Sequence, residues 1–331
     1  MRRLLFITQR VDADDPVLGA TVAKIRALAA RVDELVVVAQ SATSDALPAN
    51  VEVRTFGAPR RIARGARFER ELARVLPADA VVAHMVPLYV VLAAPLVRPR
   101  RIPLVLWYTH WKATPLLRAA ATLATAIASV DRRSFPLPSS KVHAIGHGID
   151  VSEFPCTERV PTDRLRALVL GRYSPAKGIP TILEAARSAG NVDVELHGVA
   201  SNDLEREHRR ELEQFGVELG DAVPRAQLPE VFGRSDVLVN NMRAGAPDKV
   251  VYEAGAACLP VLAANPVFDE LFGELPLAFV QDDVATLVDR LTWLAGVDAR
   301  GRAEIGRTLR ERVAGRHSVE TWADGVLEAA T

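Results

Sequence analysis

Short apolar segments alternate with segments of helical periodicity along almost the whole chain, and this alternation limits the folds that the chain can adopt. In the first half, residues 21–32 and 63–76 repeat apolar side chains at helical spacing. The apolar runs around them are short and rich in Val, Leu and Ile, which is typical of buried strands. These predicted strands are residues 4–8, 35–39, 51–56, 80–83, 104–108 and 124–130.

The second half repeats the same scheme. Its predicted strands are residues 167–170, 192–196, 237–239, 260–263 and 277–280, and its predicted helices lie near residues 179–188, 203–215, 228–232, 249–257 and 284–294. Continuous apolar strands separated by helices predict a parallel sheet covered on both faces, so the predicted fold class is α/β. Two such series predict two doubly wound, Rossmann-like domains.

A polar segment with prolines, residues 148–161, separates the two series and marks the predicted domain boundary. We therefore place one domain at residues 1–152 and the other at residues 153–316. The last predicted helix, in residues 317–331, either returns to complete the first domain or caps the second. Ligands of such sheets bind beyond the carboxyl ends of the strands, so a cleft between two facing domains is the expected site.

Composition sets further limits on the chain. It has 331 residues, of which 49% are hydrophobic, and this is enough for two cores. The net charge is zero, but residues 1–155 hold 21 basic and 13 acidic residues, whereas the remainder holds 20 and 28. This asymmetry predicts either that the first half faces an anionic partner or that the two halves attract each other.

Two cysteines, Cys156 and Cys258, are too few for a disulfide framework, and we expect both to be thiols in or near a core. The apolar start of the chain, residues 4–7, is too short for a signal peptide. The longest uncharged apolar stretch, residues 85–97, contains two prolines and is too short to span a membrane. These features predict a soluble, cytoplasmic protein.

Residues 168–178, with the sequence LVLGRYSPAKG, are the most informative segment for function. A predicted strand ends at Gly171, and two cations, Arg172 and Lys177, follow among turn-forming residues. A buried strand that opens into a loop with paired positive charge, at the carboxyl edge of an α/β sheet, is suited to bind phosphates. The alternative is an ordinary loop with two solvated cations, and the residues alone leave both interpretations open.

Three segments resemble a known family. KVHAIGHGIDVSEF (residues 141–154), LVLGRYSPAKGIPTILEAA (168–186) and RSDVLVNNMRAGAPDKVVYEAGAACLPVLAAN (234–265) are similar in order and spacing to the GT4 family, the retaining glycosyltransferases of GT-B fold. The resemblance implies transfer of a sugar from a UDP- or GDP-sugar donor to a hydroxyl acceptor with retention. It also implies no metal and no further cofactor, because two fixed cations can stabilise the leaving diphosphate. An oxygen of the donor phosphate assists deprotonation of the acceptor, so no dedicated protein base is implied.

The resemblance assigns roles to individual residues. Arg172 and Lys177 match the cations that hold the donor pyrophosphate, where they would stabilise the leaving diphosphate. Glu253 matches the glutamate that accepts hydrogen bonds from the ribose hydroxyls; its alternative is an acid on a helix surface. The family has another glutamate eight positions earlier, which touches the transferred sugar. Gly245 stands there in this chain, so the sugar cannot be predicted.

Backbone groups and a histidine complete the predicted site. The helix beginning near Lys249 would direct the N–H groups of Asp248, Lys249 and Val250 at the phosphates, although an N-cap role is favoured for the Asp248 side chain. Gly19 precedes a helix and would let the backbone approach the donor, but a lone glycine is more often part of a turn. His110 matches the histidine near the reacting sugar; its alternative is a packed histidine at a strand end.

The first domain also carries a predicted membrane-binding helix, residues 60–74. Phe68, Leu72 and Val75 lie on one side of it, and such a basic amphipathic helix can lie on anionic lipid, here at the inner face of the membrane. The alternative is a helix whose apolar stripe is buried in the sheet. Aromatic residues do not interleave with the arginines, which disfavours nucleic acid, and the histidines are not spaced as metal ligands. The arginines are Arg60, Arg61, Arg64, Arg67, Arg70 and Arg74.

Two alternative functions stay open beside the predicted glycosyltransferase. A nucleotide-sugar epimerase or hydrolase of the same fold would convert the donor without an acceptor. A catalytically weak GT-B protein that binds a sugar nucleotide is suggested by Gly245. A dinucleotide-dependent oxidoreductase is disfavoured because neither half opens with G-x-G-x-x-G.

Overall fold

The computed structural model describes residues 1–15, 18–43, 47–245 and 247–331. The chain divides into two compact units. The first comprises Met1–Asp150 together with Arg316–Thr331, and the second comprises Val151–Gly315. Each unit is built on one sheet, and every pairing between described strands is parallel, which confirms the predicted α/β class.

The sheet of the first unit has seven described strands. They are β1 Arg3–Val11, β2 Glu34–Ala42, β3 Val51–Thr55, β4 Ala80–His84, β5 Leu104–Trp107, β6 Ala126–Ser129 and β7 Val142–Ala144. The helices among them are α1 Ala20–Ala29, α2 Arg61–Val75, α3 Pro87–Val97 and α4 Pro115–Leu123. The strand order is β3-β2-β1-β4-β5-β6-β7, so the direction of winding reverses between β1 and β4. Ligands of doubly wound sheets bind beyond the strand ends at such a reversal.

The apolar stripe of α2 is buried against this sheet. Phe68, Leu72 and Val75 all belong to the hydrophobic core, and the Phe68 ring stacks on Tyr89 of α3 with their centroids 5.6 Å apart. The alternative of a buried stripe is therefore correct for this helix. Its apolar face is not available to a lipid surface, so the membrane contact cannot take the form that the sequence suggested.

The second unit has a sheet of five described strands in the order β10-β9-β8-β11-β12. The strands are β8 Leu165–Arg172, β9 Val192–Val199, β10 Leu219–Gly220, β11 Val237–Asn240 and β12 Val261–Ala263. The helices are α5 Ile179–Ala189, α6 Asp203–Glu213, α7 Leu228–Arg234, α8 Lys249–Ala256, α9 Asp269–Phe272, α10 Val284–Gly296 and α11 Ala299–Arg316. The predicted strand at residues 277–280 makes only a single bridge, between Ala278 and Ala263.

The last helix, α12 Val319–Ala329, packs on the first unit. Its Trp322 is fully buried and meets the rings of Phe6 and Trp107 edge to face, at centroid distances of 6.4 and 5.7 Å. Of the two placements that the sequence left open, the helix takes the one that completes the first unit. Within the described parts of the chain, helices are either too short or too polar to cross a bilayer.

The expectation that both cysteines are thiols is wrong. Cys156, in the segment that enters the second unit, forms a disulfide with Cys258, just beyond α8, with Cα atoms 5.0 Å apart. Arg159 strengthens the same connection by donating hydrogen bonds to the carbonyl oxygens of Cys258 and Ala257 at 3.0 and 3.2 Å. The two cysteines are 102 positions apart in sequence, so only the fold brings them together.

Candidate functional site

The strand β8 ends in the loop that carries the two predicted cations. Gly171 has φ +136°, and the chain then turns through a short 3-10 helix, Pro175–Lys177. Gly178, in the left-handed region at φ +53°, leads into α5. A Cβ at Gly178 would lie 2.1 Å from Nδ2 of Asn241, so this close approach requires glycine. The loop places Arg172 and Lys177 at the carboxyl edge of the second sheet.

The side chain of Lys177 folds back over the end of β8. A Cβ at Gly171 would lie 2.7 Å from Nζ of Lys177, so glycine leaves the space that the ammonium occupies. The ammonium pairs with the carboxylate of Asp248, which also accepts a hydrogen bond from Nδ2 of Asn240 at 2.8 Å. The lysine side chain is only 11% exposed. Its positive charge is therefore held in a fixed, largely desolvated position.

Arg172 is the more accessible of the two cations, because its side chain is 57% exposed. Its Nη1 donates to Oε1 of Glu205 on α6 at 3.0 Å. Glu205 is buried, and its other oxygen accepts a hydrogen bond from the N–H of Ser201 at 2.8 Å. The acid is thus fixed by the fold, and it orients the guanidinium without covering it.

The helix α8 begins beside the ammonium group of Lys177. Asp248 occupies the N-cap position of α8, but its side chain accepts no capping hydrogen bond and turns to Lys177 instead. The favoured expectation of a capping side chain is therefore wrong, because the ammonium and Asn240 compete for the carboxylate. Lys249 and Val250 lie in the first turn, where backbone N–H groups have no acceptor within the helix and the helix dipole is positive.

Glu253 lies on the buried side of α8 and binds two cations. Its Oε1 accepts a hydrogen bond from Nη1 of Arg225 at 2.7 Å and lies 3.3 Å from Nζ of Lys249. Arg225 also pairs with Glu153 at 2.5 Å, and its guanidinium lies 5.5 Å from the ring centre of Phe154. Burial lowers the pKa of Arg225, but the two carboxylates outweigh burial and raise that pKa above its ordinary value. No sequence pattern predicts a role for Arg225, which is an isolated arginine after Pro224.

Gly19 and His110, the two site residues predicted in the first half, both belong to the first unit. Gly19 precedes α1, and a Cβ there would lie 2.5 Å from the carbonyl oxygen of Ala13. Its lack of a side chain therefore serves the packing of its own loop. His110 follows β5 at the carboxyl edge of the first sheet, where its Nδ1 accepts a hydrogen bond from the N–H of Lys112 at 3.0 Å. Its ring stacks on Trp111 with centroids 5.4 Å apart.

His84, at the end of β4, is a buried neutral histidine of the first unit. Its Nδ1 lies 3.3 Å from Oγ1 of Thr8, and its ring lies against Phe6. Burial lowers the pKa of His84 well below its ordinary value, and the charge of Lys24 lowers that pKa further. Lys24 itself is buried between the rings of Trp107 and Trp322, with Nζ 4.8 and 4.9 Å from their centres.

The predicted residues of the second unit therefore share the carboxyl edge of one sheet, at the ends of β8 and β11 and the start of α8. This arrangement offers two oriented cations and a helix N-terminus, which together suit an anion with several oxygens. Both cations are held by acids of other elements, so neither is merely a solvated loop side chain.

Comparisons with known proteins agree with this architecture. Residues 179–328 match a family model described as glycosyl transferase-like. Among solved structures, sucrose-phosphate synthase from Thermosynechococcus elongatus has a TM-score of 0.76 at 14% identity, and the match covers 99% of this chain and 98% of that one. The chain has the GT-B glycosyltransferase fold. No curated protein matches it by sequence.

Two further GT-B structures align over both units. Anabaena HepE, crystallised in complex with UDP and glucose, has a TM-score of 0.75 at 17% identity, with 99% of each chain covered. WaaG, a glycosyltransferase involved in lipopolysaccharide biosynthesis, has a TM-score of 0.65 at 16% identity, again with 99% of each chain covered. The predicted resemblance to glycosyltransferases of GT-B fold is confirmed. At such identities the structural likeness establishes the fold, and the finer assignments stay predictions.

Proposed function

We propose that the protein is a retaining, GT4-like glycosyltransferase, of the hexosyltransferase type, that moves a sugar from a UDP- or GDP-sugar to a hydroxyl acceptor. One observation carries the proposal: the ammonium of Lys177 is fixed beside the N-terminus of α8, on the same loop as the guanidinium of Arg172. This arrangement of positive charge suits a diphosphate. The complex of Anabaena HepE with UDP and glucose, which has the same fold, supports a nucleotide-sugar donor.

The two cations act on the charge that develops during transfer. When the bond between the sugar and the phosphate breaks, the nucleoside diphosphate leaves with additional negative charge. A unit charge about 4 Å away contributes about 4 kcal/mol at an effective dielectric constant of about 20, and only the part that grows in the transition state accelerates the reaction. The N–H groups of Lys249 and Val250 add fixed partial charges at the same place.

The acids that hold the cations do not block the donor, because each keeps a second hydrogen-bond donor. When Lys177 turns to a phosphate, Asp248 retains the amide of Asn240. When Arg172 does so, Glu205 retains the backbone N–H of Ser201. Neither carboxylate is left without a hydrogen-bond donor, and the phosphate oxygens replace the contacts that the two cations give up.

The remaining roles follow the family resemblance. Glu253 accepts hydrogen bonds from the ribose, Gly19 lets the first unit approach the donor, and His110 positions the transferred sugar. An oxygen of the donor phosphate takes the proton of the acceptor hydroxyl, so the proposal assigns no side chain as a base. It assigns no metal ion and no further cofactor. A lipid or a glycan serves as the acceptor, in the cytoplasm or at the inner face of the membrane.

The test begins with a thermal-shift screen of UDP- and GDP-sugars, since a ligand that binds only the folded state raises its stability. The stabilising donor is then incubated with a panel of hydroxyl acceptors, and the anomeric configuration of the product is read by nuclear magnetic resonance. We expect transfer with retention. Conversion of the donor at the same rate with and without acceptor would instead identify an epimerase or a hydrolase.

A second candidate function is binding of a sugar nucleotide without transfer. The observation that favours it is Gly245, with φ +122°, at the position where the family has a glutamate that touches the sugar. Calorimetry separates the two candidates: donor binding at micromolar concentration, with no product across the acceptor panel, would establish the binding protein.

A further inference from the structure

Arg225 is a largely buried cation outside the three segments that resemble the family. It begins a short 3-10 helix, Arg225–Gln227, just before α7, and its side chain is 14% exposed. Its Nη1 donates to Oε1 of Glu253 at 2.7 Å, and its Nη2 lies 2.5 Å from Oε2 of Glu153. The fork of one planar guanidinium therefore binds two carboxylates at once, which the single ammonium of a lysine does not do in the same geometry.

The surroundings of Arg225 hold its guanidinium in place. The guanidinium lies 5.5 Å from the ring centre of Phe154, which is fully buried and packs on the ring of Phe232 with centroids 5.9 Å apart. An arginine held at both ends of its fork and over one ring has little freedom to change partners. Arg172 differs, because its side chain is 57% exposed and can turn to a ligand. Arg225 is instead a fixed anchor for Glu253.

The carboxylate of Glu253 is anchored through one of its two oxygens. Oε1 binds Nη1 of Arg225 and lies 3.3 Å from Nζ of Lys249. Among the described residues, no donor forms a hydrogen bond with Oε2. The side chain is only 3% exposed, and a carboxylate at that depth is stable only because cations compensate its charge. The anchored oxygen therefore supplies the stability, and the other oxygen is left for hydroxyl groups of a ligand.

We propose that Arg225 is a positioning residue, which holds Glu253 so that the site selects nucleotides with free ribose hydroxyls. This inference rests on the proposed function, in which Glu253 accepts hydrogen bonds from the ribose. Arg225 does not touch the donor itself. It fixes Oε1, so that Oε2 meets the 2′- and 3′-hydroxyls without the loss of side-chain entropy that binding would otherwise require. Without Arg225, the carboxylate keeps only Lys249, whose side chain is 27% exposed.

The test measures how strongly the protein distinguishes a nucleoside diphosphate from its 2′,3′-dideoxy form. Calorimetry is run with UDP or GDP, whichever the wild type binds more tightly, and with the dideoxy form of the same nucleotide. We expect the wild type to bind the ribose form at least about tenfold more tightly, since a hydrogen bond to a charged group has roughly that effect. In Arg225→Met this ratio should fall below about threefold, with little change in affinity for the dideoxy form. A loss of affinity that is equal for both ligands, with the ratio unchanged, would show a merely structural role and overturn the proposal.

The matched control is Arg166→Met. Arg166 pairs with Asp236, whose side chain is 3% exposed, as is that of Glu253. This pair lies at the start of β8 and just before β11, so it occupies the opposite, amino edge of the same sheet. The control also leaves a buried carboxylate without its arginine, and it should therefore lose stability but keep the wild-type ratio. An equal fall of the ratio in the control would overturn the assignment to Arg225.

Arg225→Lys keeps the test decisive if Arg225→Met does not fold. It retains a positive charge beside the two acids but not the fork, so its ratio should lie between those of the wild type and an unselective protein. A wild-type ratio in this variant would refute the positioning role. Failure of the proposed function gives a different result, because the wild type then binds neither UDP nor GDP. A wild type that binds one of them without preferring the ribose form overturns this inference and leaves the phosphate site standing.

Discussion

The charge of Lys177 is the feature whose removal tests the proposed site most directly. Lys177→Met removes the ammonium and keeps most of the aliphatic chain that packs over Gly171. It also leaves the carboxylate of Asp248 with only Asn240 as its partner, so lost stability would confuse the result. The double variant with Lys177→Met and Asp248→Asn removes both charges. It should fold with a stability close to the wild type, since the pair is replaced by two neutral groups of similar shape.

The expected loss in turnover follows from the position of the ammonium. Because Lys177 is only 11% exposed, water screens its charge poorly. Removing one fixed donor to a developing negative charge typically costs about 2.7–4 kcal/mol, or about 100- to 1,000-fold in turnover. The binding of the intact UDP- or GDP-sugar should weaken as well, but by less than turnover falls, because the diphosphate gains its additional charge only as the sugar leaves.

Initial rates are measured at saturating donor for the wild type, both variants and the control Arg300→Ala, an exposed arginine of the same unit. Calorimetry with the intact nucleotide sugar, in the absence of acceptor, gives the change in binding, and urea unfolding shows whether the double variant is folded. A folded double variant whose turnover lies within tenfold of the wild type would refute the electrostatic role. An equal loss in Arg300→Ala would show that the effect does not depend on position.

Three further predictions concern a glycine, a histidine and the disulfide. Gly171→Ala should lower turnover more than Gly190→Ala, measured as initial rates: both have positive φ, but only at Gly171 does the new Cβ meet another side chain. Burial lowers the pKa of His317 to about 4. Between about pH 6.5 and 4 the unfolded chain therefore binds one proton more than the folded chain, so the free energy of unfolding decreases as the pH is lowered, by up to about 1.4 kcal/mol per pH unit. The variant His317→Gln should reduce the dependence of the urea unfolding midpoint on pH, measured from about pH 7 to 5. Replacing Cys156 and Cys258 by serine should lower the free energy of unfolding by about 2–5 kcal/mol, and a reductant should do the same to the wild type only.

Sequence periodicity identified the fully buried strands and the helices that bury one side. The strands β1, β2 and β8 and the helices α1, α2 and α5 lie within a few residues of their predicted bounds. The helix α3 was not predicted, because its residues are apolar on all sides and include Pro95, which conceals the helical period. The long helix α11 was missed because charged residues dominate it and few of its side chains are buried.

The candidate site divides in the same way. Arg172 and Lys177 were predictable, since cations directly after a buried strand indicate an anion-binding loop at the carboxyl edge of a sheet. Their partners were not, because Glu205 and Asp248 come from other elements that only the folded sheet brings to the end of β8. Arg225 illustrates the same limit: it is an isolated arginine in sequence, yet it binds the carboxylate predicted to hold the ribose.

The pairing of each cation with an acid explains how the proposed donor site can be ordered without ligand and still bind a diphosphate. An ion pair with an exposed partner, such as Arg172, contributes at most about 1 kcal/mol, so exchanging Glu205 for a phosphate costs little. A hydrogen bond between charged groups contributes about 1.5–3 kcal/mol, and a ligand gains that twice only when it reaches Arg172 and Lys177 together. A diphosphate spans two cations on one loop, whereas a monophosphate satisfies one and leaves the other with its acid. We therefore expect the proposed site to discriminate by the number of cations that a ligand releases from their acids, and to bind nucleoside diphosphates more tightly than monophosphates.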